Sequence, residues 1–293
     1  MRGYDRNYRS IDPTETAVHL LTTIRAKQWQ SHFMKIAPAA TPIARHPDRR
    51  SWSPVTCGVY PTVIMDLPAY FARIGYQGPS KPTLDLLCDL HARHLARIAF
   101  EGLDPFLGRA VAIDSESIQA KLVNRRRGGY CHEQNRLFHD VLASIGFAVT
   151  ALGGKTIWMR PSLNAPTTHR LTLITVAGQQ YIADVGFGPQ SPPAPLLLAH
   201  GVEQTTSHGT YRIEPDGRHH EVQLRSPEGW RPMYAFTLAV PADADFEMAN
   251  WFMSTHPRTL FVRNLIVSRL VNERRVSLLN TSLTVRYPDG SLD

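Results

Sequence analysis

At Phe147 the apolar pattern of this chain changes period, and that change constrains the fold more than any other feature. Before it, apolar residues recur at helical spacing. After it they come in short β-branched or apolar runs separated by Gly, Pro and Asn. Runs at 147–152, 155–159, 170–176 and 180–185 are followed by candidates at 210–214, 220–225, 230–238, 259–267, 275–279 and 282–287. The Pro-rich stretch 188–195 reads as a loop, and 242–255 as one interposed helix. Helices followed by many short strands make an α+β chain, its strands largely antiparallel and suited to a barrel.

The helical part has clear punctuation. Asp66 is a natural N-cap with Pro68 in the first turn behind it. After a break at 75–82, Thr83 can cap a helix carrying Leu84, Leu87, Cys88, His91 and Leu95 on one side. A turn at 98–103 leads to a helix over 115–124, capped by Asp114 or Ser115. Residues 1–64 are different: prolines recur at 38, 42, 47, 54 and 61, and 45–50 is a polar, basic run. They read as an irregular basic extension with one helix around 14–35. A methionine at 65, where the regular pattern begins, leads us to expect that translation can start there, leaving 1–64 outside the functional protein. The expected organisation is therefore 1–64 extension, 65–150 helical bundle, 151–240 β-barrel and 241–293 α/β lid.

Within the helical part, Arg126-Arg127-Gly128-Gly129-Tyr130-Cys131 runs into an apolar-periodic segment, Leu137, Phe138, Val141, Leu142 and Ile145. The glycines allow a tight turn, and the cysteine starts the helix. A thiol there meets the positive end of the helix dipole, and the two arginines add to it; both favour the thiolate, the nucleophilic form. Taken alone, Cys131 is equally well a small packed hydrophobe.

Its partners come from a hairpin. His169 begins one strand and Asp184 ends the next, with a two-residue turn at 177–178 or 178–179. Either turn puts Asp184 opposite Leu171 or Leu173, on the face of His169. The closer register sets His169 and Asp184 diagonally, about 7–8 Å apart at Cα. Singly, each has a plain structural explanation, a strand-end histidine and an aspartate capping the loop at Gly186 and Gly188. With the helix-start cysteine they form a nucleophile, a base and an orienting carboxylate, the three roles that covalent cysteine catalysis requires. Other histidines fit less well: His132 lacks an obvious carboxylate, His139 faces solvent, and His219 and His220 sit in a polar strand edge. Cys88, His91 and His94 lie close on one helix, but no second ligand pair has zinc-site spacing, so no metal is assigned.

Composition narrows the class. The net charge of +7 comes mostly from 1–64, which hold nine Lys and Arg against four Asp and Glu. The remainder is nearly balanced, and aromatics do not interleave with the basic residues, so neither nucleic acid nor membrane is an expected partner. No apolar run is long enough to span a membrane. Three scattered cysteines, Cys57, Cys88 and Cys131, give no disulfide framework, which makes the cytoplasm the expected compartment.

Three segments, from Arg126 to Asn135, Thr168-His169, and Ala183-Asp184-Val185-Gly186-Phe187-Gly188, resemble the signatures of the arylamine N-acetyltransferase family. The similarity starts at Met65 and runs to about 288. It implies a helical bundle, a β-barrel and an α/β lid around a cysteine-protease-like (transglutaminase-like) core. It further implies that Cys131 takes the acetyl group of acetyl-CoA as a thioester, with His169 as base and Asp184 as its orienter, and that an arylamine or arylhydrazine then collects it. Carried over residue by residue, Thr167 and Thr168 in the loop before the histidine, with Thr255 and Thr259, would meet the coenzyme; Phe100 and Phe187 would meet the aryl ring. The chain departs from the family's pattern at Gly102, where asparagine is usual, at His132, and at Lys155 in place of arginine. A cysteine amidase or peptidase, with water as acceptor, would use the same three residues.

Overall fold

The computed structural model describes residues 65–158, 162–288 and 290–293. The expectations placed on 1–64, including the helix at 14–35, lie outside the described residues.

Helix α1 (Leu67–Ile74) starts where Asp66 accepts a hydrogen bond from Ala69 N at 2.9 Å, and ends at Gly75 in the left-handed region. Helix α2 (Leu84–Arg97) is capped by Thr83, which accepts from Leu86 N at 3.3 Å. Its buried face carries Leu86, Leu87, Leu90, His91, His94 and Leu95; Leu84, expected on that face, lies at the helix start and is exposed. The expected turn at 98–103 holds a short strand, β1 (Phe100–Glu101), and the one-turn α3 (Leu103–Phe106). Asp114 caps α4 (Ser115–Ile118), which continues as a π-helical turn over Gln119–Asn124. Helix α5 (Cys131–Ile145) packs Leu137, Phe138, Val141 and Leu142, all fully buried, against α1 and α2. Each such side chain contributes roughly 1.5–3 kcal/mol.

Eight strands form one antiparallel, nearly closed sheet, ordered β5-β4-β3-β2-β9-β8-β7-β6. They are β2 (Ala148–Thr156), β3 (Thr167–Val176), β4 (Gln179–Ala183), β5 (Leu196–Leu197), β6 (Gln204–Thr206), β7 (Gly209–Asp216), β8 (His219–Ser226) and β9 (Gly229–Phe236). The run expected at 147–152 and the start of the one at 155–159 form one strand, β2, which continues through Gly153 and Gly154 to Thr156, with a register shift against β3 between Gly154 and Lys155; Met159 lies outside the described residues. The interior is apolar, with Leu152, Leu171, Ile182, Ile213, Val222 and Phe236 among its buried members.

Helix α6 (Asp243–Thr255) lies in the expected 242–255 segment. The run at 259–267, read as a strand, is instead the short helix α7 (Leu260–Arg263) followed by β10 (Ile266–Val271). Thr259, with extended backbone, starts the helix, and apolar content alone could not separate the two elements. β11 (Arg274–Leu279) and β12 (Ser282–Arg286) complete a second sheet, ordered β1-β10-β11-β12. This C-terminal sheet thus takes its first strand from the helical part. The fold is α+β, and both sheets are antiparallel.

Candidate active site

Cys131 is the first residue of α5, and two close approaches hold it there. A Cβ on Gly128 would stand 2.2 Å from Ala99 O, so this glycine lets the loop lie against β1. The expected tight turn uses positive φ not at either glycine but at Arg126 (φ 54). On the other side, a Cβ on Gly186 would meet Cys131 Cα at 2.9 Å, so the loop after β4 also rests on the cysteine. The helix start is closed by Glu133, whose Oε2 accepts from Tyr130 N at 3.1 Å while Oε1 meets Lys121 Nζ at 2.7 Å. Lys121 also pairs with Asp104 at 2.6 Å. Arg127, expected to favour the thiolate, has its guanidinium bound to Glu101 at 2.7 Å and Asp104 at 3.2 Å. Its charge is therefore balanced locally.

The hairpin carries His169 and Asp184 as the closer register required. The turn is Ala177-Gly178, both with positive φ, and Thr172 faces Ala183, which extends to Asp184 opposite Leu171. Asp184 lies one residue beyond the end of β4, and His169 is the third residue of β3. His169 Nε2 and Asp184 Oδ2 are 2.6 Å apart, with 3% and 1% of the side chains exposed. Asp184 Oδ1 accepts from Asn135 Nδ2 and Gly186 N, each at 2.9 Å. With Nε2 occupied, the other ring nitrogen of His169 is left for Cys131. Burial alone would lower the His169 pKa. The charge and hydrogen bond of Asp184, helped by the Cys131 sulfur, outweigh burial and hold it up at about 10. Burial would raise Asp184, but His169, Asn135 and Gly186 hold it below the ordinary carboxylate value. Cys131 as a residue is 5% exposed, and its sulfur also lies 3.9 Å from Thr168 O.

Thr167, Thr168 and His169 line an open cleft of about 630 Å³. Its lining also includes the apolar Val240, Pro241, Phe246, Met248 and Phe252. Phe187 stands edge-on to His169 with ring centroids 5.4 Å apart, and Phe100 shares a buried cluster with Cys131, Tyr130 and Phe261. Thr255 and Thr259 are not among the cleft-lining residues. The Thr255 hydroxyl donates to Trp251 O at 2.6 Å, and that of Thr259 to Met253 O and His256 O.

The three departures find physical neighbours. At Gly102, an added Cβ would stand 2.9 Å from Phe261 Cδ1, so the Phe261 ring takes the space a larger residue would need. His132 is fully buried between the rings of Tyr130 and Phe246, and neither nitrogen has a well-aligned partner. Burial, followed by repulsion from Arg170 and His169, lowers its pKa to about 3, so it packs as a neutral ring. Lys155 lines the cleft and donates to Leu163 O at 2.6 Å.

Among the other histidines, His94 bridges Tyr70 Oη at 2.9 Å and Gln134 Oε1 at 2.7 Å, so neither nitrogen is open to a metal. His91 is buried edge-on to Phe138. His139 is partly buried against Asp140, not turned to solvent, because Asp140 is drawn inward by Ser115 and Arg136. His219 and His220 start β8, which lies between β7 and β9 and is not an edge strand; His219 lines the cleft. Sequence reasoning missed Asn135, whose side chain holds both Asp184 and Val185 N. Its position one turn after Cys131, on the same helix face, was the available signal.

A family model described as N-acetyltransferase matches residues 83–293. The arylamine N-acetyltransferase of Mycolicibacterium smegmatis is 40% identical over 227 residues, covering 75% of this chain and 82% of its own. A Salmonella typhimurium arylamine N-acetyltransferase / N-hydroxyarylamine O-acetyltransferase is 40% identical over 225 residues, covering 76% and 80%. Among solved structures, Mycobacterium marinum arylamine N-acetyltransferase in complex with CoA aligns with TM-score 0.75 at 36% identity, covering 78% of this chain and 86% of that one. With the family's helices and antiparallel barrel, and over that span of sequence, this chain belongs to the arylamine N-acetyltransferase family of acyltransferases.

Proposed function

We propose that this chain transfers the acetyl group of acetyl-CoA to an arylamine or arylhydrazine in two half-reactions through Cys131. The observation that carries this reading is the buried pair of His169 and Asp184, 2.6 Å apart, set beside a cysteine at a helix start. An imidazolium that keeps its proton well above neutrality stabilises a neighbouring thiolate.

In the first half-reaction the Cys131 thiolate attacks the thioester carbonyl. The resulting oxyanion lies near the first-turn N–H groups of Cys131 and His132, for which no backbone acceptor occurs among the described residues. Collapse breaks the bond to the coenzyme sulfur, which takes the proton from His169, and leaves an S-acetyl-cysteine. In the second, the amine nitrogen attacks the acetyl carbonyl and passes its proton to the now neutral His169. Departure of the Cys131 thiolate restores the starting ion pair. Asp184 holds the ring by Nε2 throughout and stabilises the imidazolium. Thr167 and Thr168 face the coenzyme, and Phe187 and Phe100 provide aromatic surface near the reacting sulfur for the aryl ring.

The test is direct. Protein mixed with acetyl-CoA alone should gain the mass of one acetyl group, located on Cys131 by peptide mapping, and should lose it on adding an arylamine. Turnover with no acetyl-enzyme at any time would reject the two-step reading.

A further inference from the structure

We propose that Lys155 is a specificity-determining residue that binds an anionic oxygen group on the molecule occupying the cleft. The inference rests on the acetyl-transfer reading above. Strands β2 and β3 pair regularly up to Gly154, which faces His169. Beyond it Lys155 faces Thr167, leaving Thr168 as the extra residue of a β-bulge. Bulges re-aim neighbouring side chains. Here the break puts Thr167 across from Lys155 and beside Gly153, whose added Cβ would come within 2.7 Å of Thr167 Cγ2. Lys155, Thr167 and His169 consequently line one cleft.

The ammonium of Lys155 has three donors, and Leu163 O takes one at 2.6 Å. No carboxylate pairs with it among the described residues. The acidic residue lining the same cleft, Asp245, has Oδ2 engaged by Ala242 N at 2.9 Å. A half-buried cation whose acceptor among the described residues is the Leu163 carbonyl, at the edge of a substrate cleft, is complementary to a carboxylate or a phosphate. The coenzyme carries phosphates, and an aryl acceptor can carry a ring carboxylate.

Steady-state kinetics on the whole chain separates them, comparing wild type with Lys155→Met and Lys155→Arg. The acceptors are 4-aminobenzoate and 4-methylaniline; the donors are acetyl-CoA and the phosphate-free S-acetylpantetheine. Lys155→Met should raise one KM by about tenfold or more, and Lys155→Arg should restore it. A rise for 4-aminobenzoate but not 4-methylaniline identifies the acceptor's carboxylate as the bound group. A rise for acetyl-CoA but not S-acetylpantetheine identifies the coenzyme. An equal fall in kcat for every pair, or no change, would overturn the proposal and leave Lys155 only a tether for Leu163. If wild-type protein transfers acetyl to neither amine, the function proposed above fails instead.

Discussion

Replacing Asp184 by asparagine tests the site at its most constrained atom pair. The carboxylate accepts from three donors: Asn135 Nδ2 and Gly186 N on Oδ1, and His169 Nε2 on Oδ2. An amide has one oxygen and one NH₂, so it cannot satisfy all three. Keeping the oxygen on Asn135 and Gly186 preserves two bonds and turns the NH₂ toward His169 Nε2. That nitrogen must then accept, which moves the ring proton to Nδ1 and removes the base from the cysteine side. The support that holds the imidazolium up at about 10 disappears as well, leaving burial to lower it. At about 1.4 kcal/mol per pH unit, the lost stabilisation of the charged ring is on the order of several kcal/mol. We expect the rate of Cys131 acetylation at neutral pH to fall about 10³–10⁴-fold, the scale seen when a triad carboxylate becomes an amide. Stability should fall by only about 1–3 kcal/mol, one charged hydrogen bond among many. Single-turnover acetylation followed by mass, with a denaturant melt of the same protein, measures both. A variant acetylated within tenfold of wild type, or one whose activity loss is matched by unfolding, would refute this reasoning.

Other outcomes can be checked on the same site. His169 carries a raised pKa of about 10, so its proton, and the active ion pair, should persist through neutral pH and be lost as pH rises through about 10. The stability contributed by the His169–Asp184 pair is fully present below the ordinary histidine value, lost on that alkaline side, and lost again in acid as Asp184 is protonated. A pH profile of acetylation that breaks near 6.5 on the alkaline side would contradict it. Gly128→Ala would drive a methyl group to 2.2 Å from Ala99 O, which as backbone cannot swing aside. It should cost about 1–3 kcal/mol by denaturant midpoint and slow acetylation at the displaced Cys131.

Much of this site is legible in the chain because its carriers obey short-range rules. The Ala177-Gly178 turn fixes a register, and the register alone brings Asp184 diagonal to His169. Asp66, Thr83 and Asp114 announce their helices through side chains that reach only three residues ahead. What the sequence hides depends on distant partners. Arg127 reads as a promoter of the thiolate until Glu101 and Asp104 are found beside it. The glycines before Cys131 look like the makings of a tight turn, whereas Gly128 is required by an oxygen 29 positions earlier in the chain. The segment at 259–267 is apolar enough for strand or helix, and long-range pairing of β10 with β1 and β11 decides its second half. His132 explains itself only once α6 brings Phe246 against it.

In the proposed cycle Cys131 carries the acetyl group between donor and acceptor. Intact mass and peptide mapping after brief mixing with acetyl-CoA, in wild type and in Cys131→Ala, test it most directly. The wild type should carry one acetyl group on its Cys131 peptide, discharged by an arylamine; the variant should carry none and should not turn over. Steady acetylation of an arylamine by Cys131→Ala, or an acetyl group carried on another residue and discharged at the turnover rate, would contradict it.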